Sequence, residues 1–467
     1  MQPTSPYLRD LNPEGPEGPA GPGFAVSPDK RVRLLVYGGY LLATALFHFV
    51  YLRYSSYMWG YMGLTGDLDA VRLIAGMTFL AIYLVYLPKD RGPRAFFLHC
   101  FALLYLMPGL SLFAYNTFPT HSFMIIVIAA ITLRVASAIP VDLPVRRSLS
   151  LRVYAFGTVG VTGLLIAVLV FIGGLNTFNL DFQQVYSFRD EAAENLPPIF
   201  GYIIPIFTKT VIPFGIAAAL HYRYRNFALV LILASIIIFG ITSHKIMLFA
   251  PILVAITYLA IKRLNPLITL VSGTVVILAA IAVAVMLNDV LPVTSLWGWV
   301  ESLFMWRSMI LPAYLDYEHI TFFSDNVKYY WSASQVTFGL FDAPYNGVQI
   351  PQVIGLAVFN DPTMVANAGF VGNGFAQAGL VGVLLYATGI GLILSFFDTV
   401  ARIFGSPFVI SATLTLVLTM LVSADFLSMF LTHGLLLGLL LLLFLAPAGG
   451  VVPSVGAGVS SRSHKVS

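Results

Sequence analysis

The chain has 467 residues, of which 58% are hydrophobic and only 10% charged, and its net charge is a modest +4. Soluble domains carry about a quarter charged residues, so this composition excludes an ordinary soluble protein and gives no reason to expect a nucleic-acid partner. The single cysteine, Cys100, lies in an apolar run, which excludes disulfides and thiolate metal sites.

Residues 1–30 are polar and rich in Gly and Pro between Gly15 and Pro22. They read as a disordered cytoplasmic tail without the apolar core of a signal peptide. Apolar runs able to cross about 30 Å of hydrocarbon then recur. Nine are expected within 31–287: Leu34–Tyr51, Ala70–Leu87, Ala95–Tyr115, Ser122–Val141, Val153–Gly173, Pro198–Leu220, Phe227–Thr242, Ile246–Ile261 and Leu267–Leu287. Residues 288–373 read as a long loop in which Leu296, Trp297, Val300, Leu303 and Phe304 repeat at helical spacing. That spacing predicts an amphipathic helix lying on the membrane surface and roofing a cavity. Three more spans are expected within 374–447, at Gly374–Phe396, Phe404–Val422 and Phe426–Leu445, and 448–467 reads as a second disordered tail. The expected fold is all-α: a polytopic membrane protein with about 12 transmembrane helices and a long external loop carrying amphipathic helices.

Basic residues orient this arrangement. With the N-terminus inside, the inner segments hold 17 of the 25 Lys and Arg, including Lys89, Arg91 and Arg94 in one short loop and Arg146, Arg147 and Arg152 in the next. The outer side receives Arg53, Arg72, Arg189, Lys245, Arg307 and Lys328, while Arg134 and Lys209 fall inside spans. Clusters confined to one side follow the positive-inside rule, so both tails are expected in the cytoplasm and the 288–373 loop outside.

Lys209 stands out, because a lysine near the bilayer midplane costs roughly 2.5–3.5 kcal/mol. Its span also holds Pro198, Pro205 and Pro213, and so broken a helix is tolerated where it lines a cavity. A bound anion would explain the lysine; the alternative is a structural ion pair, with Asp425 the chief carboxylate on offer. Lys245, in the turn Ser243-His244-Lys245, is poorly placed at a helix start unless it shares an anion with backbone N–H groups. Arg307 follows the roof helix, and Arg189 is equally readable as an exposed ion-pair residue. Beyond Arg307 come Tyr314, Asp316, Tyr317, Glu318, His319, Tyr329 and Trp331, a mixture of aromatic and polar groups that suits carbohydrate or, equally, an interfacial aromatic belt. Cations converging on one cavity would bind phosphate.

Arg307 with Pro312 and the aromatic stretch to Phe322-Phe323-Ser324 resembles the signature of Wzy-type polysaccharide repeat-unit polymerases. The segment Asn367-Ala368-Gly369-Phe370-Val371-Gly372-Asn373-Gly374-Phe375-Ala376-Gln377-Ala378-Gly379 resembles their Gly-Asn, aromatic, Ala, Gly stretch, and the Ser243-His244-Lys245 turn is similar to a Ser/Gly-Lys turn. The likeness spans about residues 180–400. It implies a glycosyltransferase of the bacterial inner membrane that moves a growing glycan from undecaprenyl diphosphate onto the non-reducing end of a new lipid-linked unit. By this likeness Arg307, Lys245, Arg189 and Lys209 would hold the diphosphate, while Asp316, Glu318 or His319 would take the acceptor proton. Tyr314, Tyr317, Asn373, Tyr329 and Trp331 would meet the glycan, membrane lipid would surround the site, and a chain-length regulator and a flippase would be partners.

Three other readings stay open. An O-antigen ligase uses the same donor, and His319 would suit it. A metal-dependent transferase would use Asp67 and Asp69, although both fit as the first acids of a helix with Arg72 as ion partner. A lipid-oligosaccharide flippase would show repeated halves, and none is visible. With fixed cations on hand, the enzyme is expected to need neither metal nor cofactor. The topology is checked by reporter fusions at Pro344 and Lys465, which should report opposite compartments; a shared compartment would sink the twelve-span arrangement.

Overall fold

The computed structural model describes residues 28–143, 149–176, 178–180, 196–288, 291–292, 295–334, 337 and 340–446, and the apolar runs within them are helical. The first nine helices are α1 (Lys30–Met58), α2 (Ala70–Tyr86), α3 (Pro93–Tyr115), α4 (Thr120–Ala136), α5 (Leu151–Phe171), α6 (Phe200–His221), α7 (Arg225–Thr242), α8 (Ile246–Ile261) and α9 (Pro266–Leu287). Next come α10 (Leu296–Val300), a π-helical stretch Glu301–Ile310, α11 (Leu311–Asp325) and α12 (Ile350–Phe359). The chain closes with α13 (Phe370–Phe404), α14 (Ser406–Val422), α15 (Phe426–Leu431) and α16 (Leu435–Phe444). Among the described residues α1, α3, α5, α6, α7, α9 and α13 are long and apolar enough to cross a membrane, so the protein is an all-α polytopic membrane protein. The helices at the other expected spans run 10–17 residues, except the last. There the expected Phe426–Leu445 span is split into α15 and α16: α15 ends at its cap Thr432, and Gly434, at φ +87°, starts α16.

Local chemistry sets the helix ends. Asp69 caps α2, its carboxylate accepting from the N–H groups of Val71 (2.9 Å) and Arg72 (3.1 Å), with the Arg72 guanidinium 3.4 Å away. Asn265 caps α9 in the same way, ahead of Pro266. Prolines also shape helix interiors. Three π-helical stretches, Ala102–Leu106, Phe207–Val211 and Glu301–Ile310, each end two residues before a proline: Pro108, Pro213 and Pro312. A proline cannot donate to the carbonyl four residues back and its ring presses on that oxygen, which a widened turn moves aside. For Pro213 the released carbonyl is that of Lys209, and it accepts from Thr415 Oγ1 at 2.8 Å.

Helix α3 is the axle: nearly its whole apolar window is buried, and α2, α9, α11, α13 and α14 pack on it. A second group gathers α5, α7 and α8 around α6, with α14 shared between the two. Helix α13 is not continuous. Ala378 (φ −148°, ψ 31°) and Gly379 (φ +60°, ψ −142°) interrupt it, and the two halves fold back until a Cβ on Gly382 would lie 2.0 Å from the Gly374 oxygen. The carbonyls of Ala376 and Gln377 near the break accept from Tyr329 N (3.0 Å) and Tyr330 N (2.7 Å). The loop before α12 thus docks on the interruption.

The Gly374–Gly382 crossing has no room for a methyl group. Gly382→Ala is expected to lower stability by at least about 1–3 kcal/mol through overpacking. The control is Gly160→Ala, which faces open space. Thermal melting of detergent-extracted protein should separate the two; equal melting points would mean that the Gly374–Gly382 contact accommodates a methyl group.

Candidate functional site

The break in α13 faces a cavity of about 630 Å³. Its walls include Lys209 from α6, Asn367 from the segment before α13, Asn373 and Gln377 from the first half of α13, Asp425 at the start of α15, and His433 between α15 and α16. Exposed Gln349 and Gln352 stand at its rim.

Lys209 is held by its backbone rather than its side chain. The widened turn before Pro213 fixes its carbonyl to Thr415, and the next residue, Thr210, donates from Oγ1 to the Gly434 carbonyl at 2.9 Å. Gly434 is required there, since a Cβ would stand 2.4 Å from Thr210 Oγ1. These two bonds fasten the lysine's turn to α14 and to the gap between α15 and α16. Only 8% of the residue is exposed, and it takes part in none of the ion pairs between described residues, which are Arg72–Asp69, Arg94–Asp90 and Arg94–Asp398. Asp425 shares its cavity but is engaged elsewhere. One oxygen accepts from the Tyr386 hydroxyl at 2.7 Å, and the other from Ser428 N at 3.0 Å, capping α15.

The glycines of the Asn367–Gly379 segment let the backbone approach. A Cβ on Gly369 would lie 2.5 Å from the Leu421 oxygen, and one on Gly372 2.5 Å from Asp316 Oδ1. Asp316 is therefore a structural acceptor. It is fully buried and takes bonds from Tyr105 Oη (2.5 Å) and Gly369 N (3.1 Å), with a further one from the Gly372 backbone. Asp316 sits on α11, which is not a candidate span, and burial pushes its carboxyl up to about 7 against the pull of those three donors. Asn373, one turn into α13, donates from Nδ2 to the carbonyls of Ala368 (2.7 Å) and Gly369 (3.1 Å). Its side chain both tightens the helix start and lines the cavity.

Of the residues singled out by sequence, the cavity collects Lys209 and Asn373. Trp331 stands just behind its wall, with its backbone N–H on Gln377 Oε1 at 2.8 Å. The other candidate proton acceptors lie off it. The Glu318 carboxylate is bonded to Tyr314, and burial raises its pKa. His319 is fully buried, its Nδ1 2.8 Å from the Leu315 carbonyl. The expected sugar-facing tyrosines hydrogen-bond to backbone carbonyls. Tyr314 donates to the Met62 carbonyl, Tyr317 donates to Gly109 O at 3.0 Å while stacking on Phe118, and Tyr329 donates to Val348 O at 2.6 Å. Lys245 is half-buried with its ammonium 4.8 Å from the centre of the Trp299 ring, and Arg307 is exposed on the π-helical stretch; neither lines the cavity. Arg189 lies outside the described residues.

Sequence reading did not place His433 or Gln377 at the site, and weighed Asp425 only as an ion partner for Lys209. His433 falls in what looked like an uninterrupted span, and its cue was the Thr432-His433-Gly434 interruption within that leucine-rich run. Among the described residues no three His, Cys, Asp or Glu side chains converge as metal ligands. No protein-family model, curated protein or solved structure matches the chain.

Asp316 gives a direct test. Asp316→Ala should leave Tyr105, Gly369 and Gly372 without their acceptor, each at about 1–3 kcal/mol, and reduce folded protein in the membrane. Asp316→Asn keeps an acceptor oxygen and should be far milder, because a carboxyl raised to about 7 is already partly protonated at neutral pH. A raised carboxyl binds its proton more tightly in the fold. Stability tied to it is therefore greatest in acid and declines from about pH 4 to pH 7 in the parent, a dependence the Asn variant should lose in melting curves.

Proposed function

We propose that the protein is a membrane-embedded glycosyltransferase that polymerises lipid-linked oligosaccharide units, with undecaprenyl diphosphate as the carrier. The observation that carries this reading is the cavity itself. It combines a buried Lys209, which forms no ion pair with the described residues, with Asn367, Asn373, Gln377 and the hydroxyls of Ser428 and Thr432, the set of groups needed by a substrate that is an anion at one end and a sugar at the other. In support, Asn373 and Gln377 belong to the very segment that resembles the Wzy-type polymerases. On this reading the chain crosses the bacterial inner membrane about 12 times with both tails in the cytoplasm, and the 288–373 loop and the cavity mouth face outside.

The chemistry follows from the charges. Breaking the bond between the anomeric carbon and the diphosphate leaves negative charge on the leaving group, and Lys209 is the fixed cation inside the cavity to receive it. Lys245 and Arg307 act at the outer surface, guiding the diphosphate toward the cavity. The amides and hydroxyls replace the water lost by the sugars. Because a fixed cation answers the leaving charge, the reaction is proposed to run without metal.

A second reading has one observation of its own: helices interrupted beside a cavity, as α13 is, also occur in transporters. Purified protein in vesicles, given its lipid-linked repeat unit, separates the two. Polymerisation predicts a ladder of longer glycans that persists in excess EDTA, and Lys209→Gln should slow it about 100-fold, the scale of removing one charge-stabilising donor. Movement of intact lipid-linked units across the bilayer with no new glycosidic bond would overturn the enzyme in favour of the transporter, and a ladder abolished by EDTA and restored by magnesium would overturn the metal-free step.

A further inference from the structure

Asp425 is the carboxylate on the cavity wall among its described lining residues. It sits at the end of a hydrogen-bond relay that begins on the same cavity. Gln377 lines the cavity and accepts through Oε1 from the Trp331 backbone N–H at 2.8 Å. The Trp331 indole Nε1–H donates to Tyr386 Oη at 2.9 Å, and the Tyr386 hydroxyl donates to Asp425 Oδ1 at 2.7 Å. Ser428 fixes the other oxygen through its N–H (3.0 Å) and Oγ (3.2 Å). Tyr386 is 3% exposed, so the middle of the relay is dry, whereas Asp425 is half-buried and open to the cavity.

We propose that Asp425 takes the proton from the attacking hydroxyl of the acceptor sugar, a role that rests on the glycosyl-transfer reading of the cavity. The acceptor O–H proton passes to a carboxylate oxygen of Asp425. The electron pair left on the acceptor oxygen forms the new bond to the anomeric carbon of the donor, whose bond to the diphosphate oxygen breaks. That second pair leaves with the diphosphate, next to the Lys209 ammonium. Each carboxylate oxygen has two acceptor positions, so Asp425 can serve Tyr386, Ser428 and a sugar hydroxyl together. Tyr386 and Trp331 are positioning residues: they hold the carboxylate at a fixed orientation and tie it to Gln377 on another part of the wall. Asp316, Glu318 and His319 are not among the residues that line this cavity.

The experiment uses full-length protein in vesicles with lipid-linked repeat units. Asp425→Asn keeps an oxygen to cap α15 and turns an amide N–H toward Tyr386 Oη, which can accept it, but cannot accept a proton. It should melt like the parent, bind acceptor with KM within about threefold, and lose at least about 100-fold in kcat, the scale of general-base catalysis. Tyr386→Phe removes the hydroxyl that fixes the carboxylate's orientation, so kcat should fall at least about tenfold while the acceptor KM stays within about threefold. A purely structural tyrosine would lower the melting temperature and leave kcat of the folded protein unchanged. An Asp425→Asn variant that polymerises at the parental rate would overturn the assignment while leaving the polymerase reading intact. Should that variant fail to fold, an unchanged kcat in folded Tyr386→Phe overturns it instead. A parent protein that makes no polymer removes both the reading and the assignment.

Discussion

The contact between α11 and the start of α13 depends on one carboxylate out of reach of solvent. Helix α13 starts with N–H groups that have no partner inside the helix, and a helix start buried in protein must find acceptors elsewhere. Asp316 supplies them from α11, and the same side chain takes the Tyr105 hydroxyl from α3. Three elements far apart in sequence are thereby fixed to one point. The glycines at 369 and 372 exist for that closeness, because a methyl group at either would strike the Leu421 backbone or the Asp316 carboxylate. With this start fixed, Asn373 and Gln377 come to line the cavity.

Proline acts as a second organiser. Helix α6 presents Lys209 from a widened turn, and that turn exists because Pro213 cannot bond to the lysine's carbonyl. The carbonyl is recovered by Thr415 from α14, so one local defect becomes a tertiary link. The defect and the cation share a position. Burying an ammonium is expensive anywhere and more so within a bilayer. Asp425 shares the cavity yet is tied to Tyr386 and Ser428, which leaves the lysine's charge available to a ligand.

Two interruptions meet at the same place. The break at Ala378–Gly379 exposes backbone that the 328–331 segment covers, and the gap at Thr432–Gly434 brings His433 to the wall. Irregular backbone inside a membrane protein must be satisfied by protein or line a wet cavity, and both solutions are present here.

The sequence by itself determined that this is an all-helical membrane protein, because apolar runs of membrane-crossing length are a property of neighbouring residues and need no tertiary information. It also determined that Asp69 starts a helix and that Lys209 is out of place, since capping geometry and the cost of a charge in hydrocarbon are local matters. What surrounds a side chain was decided only by the tertiary structure. Tyr314, Tyr317 and Tyr329 have the composition of a sugar-binding face, but their hydroxyls meet carbonyls 19 or more residues away, and no spacing rule encodes that. Asp316 and Asp425 are chemically identical. One is enclosed by α3, α11 and α13 and serves as a cap, while the other opens on a cavity, and the difference comes from packing between helices that the chain separates by hundreds of residues.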